Sequence, residues 1–206
     1  MIGNNLFKKR QSSGFTVIEM IVSMAIFLLI IGVVITIFTS FVENQRNIIY
    51  EQKVLNQMSY VEEYMSKAMR MAKVDNDGNC ISNVDETGYI YMLTRGIETG
   101  TAKGIKFINQ SDSDACEEFF LDETDPNNKV LKVLKNSTND ADAVSLTSED
   151  IKIESIQFAI NGDQNKANVS IRDWDLQPRI TFVVTILLPN GTERIIQTTV
   201  SQRNFN

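Results

Sequence analysis

A run of 23 residues without a charged side chain, from Met20 to Val42, limits most strongly what this chain can fold into. At ~1.5 Å per residue, a helix of this length spans the ~30 Å hydrocarbon core of a bilayer. A single carboxylate, Glu19, stands at the N-terminal edge of the run. An ionised carboxylate near hydrocarbon costs several kcal/mol unless it finds a partner. The run therefore predicts a membrane-spanning helix, and Glu19 is a candidate functional residue that needs a counter-charge.

The motif before the run is specific. Gly14-Phe15-Thr16-Val17-Ile18-Glu19 follows the basic stretch Lys8-Lys9-Arg10. This arrangement resembles the class III signal of type IV prepilins and type II secretion pseudopilins. The alternative is an ordinary signal anchor or signal peptide. An ordinary cleavable signal, however, has an apolar region of about 7–15 residues with the cleavage site after it, whereas here the motif lies before a longer run.

The resemblance implies a defined processing route. A prepilin peptidase would cleave between Gly14 and Phe15 and N-methylate the new terminus at Phe15. The basic residues would keep the leader in the cytoplasm, and the missing Cβ of Gly14 would let the peptidase approach the backbone. Glu19 would pair with the amino terminus of a neighbouring subunit. The implied partners are the peptidase, other pilin subunits contacted through the N-terminal helix, an inner-membrane assembly platform, and membrane lipid before assembly.

An apolar stripe continues the helical pattern beyond the membrane segment. Its members recur at spacings of three and four residues: Val54, Met58, Val61, Met65, Ala68 and Ala72. This spacing favours an amphipathic helix packed on a sheet, with a dimeric coiled-coil seam as the alternative. We therefore predict a cleaved leader at 1–14, one long helix over 15–72 whose segment 15–42 crosses the membrane, and a soluble β-rich domain over 73–206. The expected fold class is α+β and pilin-like, with the helix packed on an antiparallel sheet.

Short β signals follow, at Tyr89–Leu93, Ile105–Ile108, Phe119–Leu121 and Val130–Leu134. In Ile151–Ile160 the apolar phase slips near Glu154-Ser155, which suggests a bulge. Two alternating segments, Arg179–Leu188 and Glu193–Ser201, flank the turn sequence Pro189-Asn190-Gly191-Thr192 and predict a C-terminal hairpin. The single tryptophan, Trp174, is interpreted as a partly buried anchor beneath the loop 161–177.

Composition excludes several classes of function. The net charge is −6, and removal of Lys8, Lys9 and Arg10 with the leader would bring it to −9, so we expect no direct contact with nucleic acid. The chain has no histidine, which removes the commonest general base and the commonest zinc ligand. It also lacks a nucleophile elbow and a P-loop. We expect no enzymatic activity, no cofactor and no metal.

The two cysteines, Cys80 and Cys116, fall in the part expected outside the cytoplasm, where disulfides persist. We predict one bridge between them; the alternative is two buried free thiols. Asp75-Asn76-Asp77-Gly78-Asn79 has a faint likeness to a calcium loop, but Val84 stands where that loop needs a glutamate, so a helix-terminating turn is favoured. Seven acidic residues between 112 and 125 are expected to form a solvated loop face; the alternative is a surface for a cation or a basic partner.

The resemblance extends more softly to minor pilins and J-type minor pseudopilins, through Leu146–Ile151, Gln177-Pro178-Arg179 and Gln197–Ser201. Major pilins commonly carry a helix-breaking proline where this chain has Thr36, and the tip subunit of secretion pseudopili lacks the carboxylate that Glu19 retains. These features imply a minor structural subunit of a type IV pilus or type II secretion pseudopilus. The alternative is a competence pseudopilin or a pilus-associated adhesin. The expected location is a single-pass inner-membrane protein with a periplasmic or extracytoplasmic C-terminal domain, which then enters the filament.

Overall fold

The computed structural model describes residues 14–81, 89–148, 151–162 and 177–203. These residues fall into two compact units, one that ends at Ile48 and one that begins at Ile49. The fold is α+β: one long helix, α1 (Val17–Arg70), is followed by antiparallel strands. Its first and last residues, Val17 and Arg70, each lie two residues inside the predicted boundaries at 15 and 72. Trp174 lies outside the described residues.

In the described part of the chain, nine strands follow α1 and form two antiparallel sheets. Their bounds are β1 (Ala72–Lys73), β2 (Tyr91–Thr94), β3 (Gly104–Asn109), β4 (Ala115–Asp122), β5 (Val130–Lys135), β6 (Val144–Ser145), β7 (Lys152–Asn161), β8 (Arg179–Leu187) and β9 (Glu193–Ser201). The first sheet has the order β1-β3-β4-β5-β6, and β2 also pairs with β3; the second has the order β7-β8-β9. Three short 3₁₀ turns, Ile97–Thr99, Gln110–Asp112 and Asp140–Asp142, lie between strands.

The hydrophobic core joins α1 to both sheets. All six residues of the predicted stripe are buried, which confirms that this face packs inward and against strands of the same chain. The core includes Phe107 and Phe119 from the first sheet, and Phe182 and Ile186 from the second. The phase of β8 is as predicted, because its alternate residues from Ile180 to Ile186 are buried. The bulge in β7 is confirmed by a register shift between Ile153 and Ser155.

The last carbonyl groups of α1 and the residues just after it are satisfied by distant segments. The carbonyl of Met69 accepts from Tyr91 Oη at 2.6 Å, and that of Arg70 accepts from the backbone N–H of Arg203 at 2.8 Å. The carbonyl of Ala72 accepts from Gln202 Nε2, also at 2.8 Å. Helix ends leave carbonyls without intrahelical partners, so the C-terminal residues of the chain complete the end of α1.

Cys80 and Cys116 form a disulfide with a Cα–Cα distance of 5.5 Å. The bridge attaches the segment after α1 to β4. Near it, Asp75 is buried and accepts the backbone N–H groups of Gly78, Cys80 and Ile81. Burial raises the pKa of Asp75, but these hydrogen bonds outweigh it and lower the pKa overall. The carboxylate is therefore occupied in closing a turn, in agreement with a helix-terminating turn rather than a calcium loop.

The acidic segment 112–125 corrects the sequence interpretation. Glu117 and Glu118 lie in β4 and are buried, so the segment is not a uniformly solvated loop face. Burial raises the pKa of Glu117, and its Oε1 lies 2.9 Å from Lys135 Nζ on the adjacent strand. Glu118 accepts from Arg95 Nε at 2.9 Å, and the Arg95 guanidinium lies 3.4 Å above the ring of Phe120. Lys135 on the adjacent strand and Arg95, which follows β2, neutralise the two carboxylates that the sheet buries.

We predict that loss of the bridge destabilises the fold. A Cys80→Ser/Cys116→Ser variant should unfold with a free energy lower by ~3–4 kcal/mol, because the bridge closes a long loop in the unfolded chain. Denaturation of the protein with and without reductant measures this, and the double variant is the control that reductant should leave unchanged. Equal midpoints for the oxidised and reduced native sequence would contradict the prediction.

We predict a pH-dependent contribution from Asp122. Hydrogen bonds from Lys132 and Thr124 lower its pKa to about 2 from the ordinary 3.8. Because the folded pKa is below the unfolded one, the stabilisation is present above pH ~4 and is lost as pH falls toward 2. Asp122→Asn keeps an oxygen for Thr124 but loses the ion pair, so unfolding free energy should fall by about 1 kcal/mol at pH 7.

The measurement is the unfolding midpoint at pH 7 and pH 2. Asp125→Asn is the control, because Asp125 is exposed and caps the turn at Asn127 through an oxygen that asparagine also has. A difference between Asp122→Asn and the native sequence that persists unchanged at pH 2 would show that the ion pair is not its cause.

Candidate functional site

The candidate functional site is the first turn of α1 together with the three residues before it. Gly14, Phe15 and Thr16 precede the helix, which begins at Val17. The backbone N–H of Met20 donates to the carbonyl of Thr16 at 3.2 Å, the first hydrogen bond of the helical ladder. Thr16 is therefore the N-cap residue, and Glu19 is the third residue inside the helix.

Thr16 caps the helix with its side chain. Its Oγ1 accepts the backbone N–H of Glu19 at 3.3 Å. A threonine followed three residues later by a glutamate is the pattern of a capping box, in which each side chain satisfies a free N–H at the helix start. A carboxylate in the first turn is also favoured by the helix dipole. Sequence reasoning missed this local role of Glu19, although the Thr-x-x-Glu spacing indicates it.

Gly14 is open on all sides. A Cβ added at Gly14 would meet no atom within 4 Å, and no left-handed backbone conformation requires glycine there. The fold of the described residues therefore does not demand glycine at this position. A requirement for glycine must come from whatever binds this segment.

The apolar half of α1 has no cover in the described chain. Every residue from Gly14 to Phe41 is exposed, including Phe15 with 79% of its surface accessible. By length and composition this helix can cross a membrane. Apolar surface of this extent marks a membrane or protein contact, and the only carboxylate within it is that of Glu19.

Three hydroxyl groups of this half, those of Ser23, Thr36 and Thr39, are satisfied within the helix. Ser23 Oγ donates to the carbonyl of Glu19 at 2.7 Å, and Thr36 Oγ1 donates to the carbonyl of Gly32 at 2.9 Å. Thr39 Oγ1 donates to the carbonyl of Thr36 at 2.9 Å. The helix is unbroken at Thr36. Apart from Glu19, the described part of this half therefore presents side chains that hydrocarbon tolerates.

The predicted site residues form two groups. Gly14, Phe15 and Glu19 are adjacent at the start of α1, whereas Cys80 and Cys116 belong to the other compact unit. Within the described residues, no group of three or more Cys, Asp and Glu side chains is arranged to hold a metal ion.

A family model described as the prokaryotic N-terminal methylation motif matches residues 9–38. The match covers Lys9 and Arg10 of the basic stretch, the Gly14–Glu19 motif and most of the uncharged run. No curated protein and no solved structure gave a match.

The matched segment coincides with the site built above from the residues. It begins before Gly14, contains the capped first turn with Glu19, and continues along the exposed apolar half of α1. With this N-terminal methylation motif, a long apolar N-terminal helix and antiparallel sheets, the chain has the features of a type IV pilin-like protein.

Proposed function

We propose that this chain is a minor structural subunit of a type IV pilus or type II secretion pseudopilus. The observation that carries the proposal is the methylation motif at the start of a helix whose apolar half is wholly exposed. The motif supports processing by a prepilin peptidase, membrane anchoring and assembly with other pilin subunits. Retention of Glu19 and the absence of a proline at Thr36 support the minor-subunit role.

In this proposal residues 1–14 are the leader and Phe15 becomes the methylated terminus. The new amino group then lies one residue before the N-cap Thr16 and four residues before Glu19. Before assembly, α1 anchors the subunit in the inner membrane with the β-rich domain, residues 73–206, on the periplasmic or extracytoplasmic side. The assembly platform extracts it, and lipid contacts are exchanged for helix–helix contacts in the filament.

The charge of Glu19 favours the assembled state over the membrane-inserted state. In hydrocarbon the carboxylate is costly, and an amino terminus from a neighbouring subunit neutralises it. The capping contact with Thr16 uses the backbone N–H of Glu19, so its carboxylate oxygens remain available for that neighbour. The local and the intersubunit roles are therefore compatible.

The first prediction of the proposed function concerns the leader. Co-expression with a prepilin peptidase should remove 14 residues and leave N-methyl-Phe15, and Gly14→Val should remain uncut. Because a Cβ at Gly14 meets nothing within 4 Å, the variant should fold and insert normally, so a block would lie in recognition. Intact-mass measurement decides between these outcomes. Cleavage after the apolar run, or equal cleavage of Gly14→Val, would contradict the proposal.

The second prediction separates the charge of Glu19 from the polarity of its side chain. Glu19→Gln keeps a polar side chain of nearly the same length but removes the charge, whereas Glu19→Ala removes both; each variant keeps the backbone N–H that Thr16 Oγ1 accepts. Both variants should be cleaved and inserted, and both should be incorporated into filaments at least tenfold less than the native chain. Quantitative immunoblotting of sheared filaments measures incorporation.

A matched control is Ser23→Ala, which removes a hydroxyl that bonds only within the helix. It should be incorporated normally. If Glu19→Gln is incorporated like the native chain while Glu19→Ala is not, a polar side chain at this position is sufficient and the charge pairing is wrong.

A further inference from the structure

Strand β9 has one long edge that faces away from its sheet. The backbone N–H of Leu188 donates to the carbonyl of Thr192, and that of Gln202 donates to the carbonyl of Pro178. These two bonds show which residue pairs of the β8–β9 ladder are hydrogen-bonded, because hydrogen-bonded and non-hydrogen-bonded pairs alternate along an antiparallel ladder. The even-numbered residues of β9 therefore bond to β8. The outward-facing backbone groups belong to Glu193, Ile195, Gln197, Thr199 and Ser201.

The other sheet edges are short or covered. The outer strands of the first sheet, β1, β2 and β6, have two to four residues each. On the free side of β7, the N–H of Phe158 donates to the carbonyl of Ala102, and Lys129 Nζ donates to the carbonyl of Glu154. These contacts occupy backbone groups of that edge. Proteins protect long edges because an open one is a template for another strand.

The outward edge of β9 lacks such protection. Among the described residues, its five outward-facing members make no backbone hydrogen bond with another element. The strand contains neither proline nor lysine, and Ile195 has 67% of its surface exposed. Among the described residues, the five outward-facing positions of β9 are thus available for pairing.

A groove of about 890 Å³ lies beside this edge, and its lining includes Thr198, Arg203 and one face of α1. Thr198 Oγ1 donates to Glu62 at 2.6 Å, which marks where β9 meets the helix. At about 100° per residue, Ser66, Arg70 and Glu63 lie ~40–100° beyond Glu62, on the side away from the buried stripe. A strand added to β9 would point alternate side chains toward this face.

The groove carries opposite charges at its two ends. Glu62 and Glu63 lie at one end, and Lys67, Arg70 and Arg203 lie toward the other. Glu63 and Arg70 are about 10 Å apart along the helix axis. Side chains on one face of a strand recur every ~6.6 Å, so spacings of two and four residues, ~6.6 and ~13 Å, bracket that separation.

We propose that β9 receives an extended segment of a partner protein, which adds as a fourth strand to the second sheet. The segment carries a basic and an acidic side chain on its groove-facing side, two or four residues apart. Its backbone pairs with the outward groups of β9, and the charges fix its direction. This is recognition by strand addition, in which main-chain bonds give affinity and side chains give specificity.

The test uses the full chain in detergent and a synthetic probe. The probe is a fluorescent nine-residue peptide rich in threonine and valine, with lysine at its third and glutamate at its seventh position. One comparison peptide is N-methylated at alternate residues so that it cannot donate to β9, and another has glutamine at both charged positions. Fluorescence anisotropy measures binding. None of this depends on Gly14 or Glu19, so failure of this inference leaves the proposed function untouched.

Gln197→Pro is the informative variant, because it removes only an outward-facing N–H and proline is tolerated at such edge positions. Gln197→Ala is its matched control. We expect the probe to bind, at least tenfold loss for Gln197→Pro and for the N-methylated peptide, and no change for Gln197→Ala. The glutamine peptide and the Arg70→Glu variant should each bind several-fold more weakly.

Three results of the binding assay would overturn the proposal: no binding of the probe, equal binding of the N-methylated peptide, or equal binding to Gln197→Pro. The peptide comparison needs no variant and therefore holds even if Gln197→Pro fails to fold. Sedimentation of the full chain without peptide tests whether a second copy of this chain binds the edge. A dimer abolished by Gln197→Pro would assign the edge to a second copy of this chain and overturn the partner-protein proposal.

Discussion

Burial of one helical stripe is the interaction on which the compact unit that begins at Ile49 depends. Met58, Met65 and Met69 of α1 are almost wholly buried in a single cluster with residues of both sheets. The two sheets form separate hydrogen-bonded ladders, so neither alone provides a complete apolar core. The stripe supplies the surface that both need, and a helix this long gains most of its stability from such packing rather than from propensity.

The parts of the fold with a clean period could be predicted from the sequence. Val54 to Ala68 repeat at helical spacing, and Ile180 to Ile186 alternate as in a strand with one buried face. Each pattern depends on neighbours within a few residues. The phase slip in β7 belongs to the same class, because a bulge shifts the alternation that the sequence itself displays.

The buried acidic residues could not be predicted in this way. Glu117 looks like part of a charged loop because seven acidic residues stand between 112 and 125, and its partner Lys135 comes from the adjacent strand. That pairing depends on the register of β4 against β5, which no local pattern gives. At the start of α1 the reverse holds, because the Thr-x-x-Glu spacing is a local pattern that indicates the capping contact between Thr16 and Glu19.

The attachment of the C-terminal residues to the end of α1 has a mechanical consequence. Arg203 and Gln202 bond to the carbonyls of Arg70 and Ala72, while Arg194 and Thr198 reach Glu51 and Glu62 farther back along the helix. A tension applied along α1 is therefore shared between the helix and β9 at several points along its length. Because β9 is held by a full ladder to β8, such a load would act in shear on many hydrogen bonds together, rather than opening them one by one.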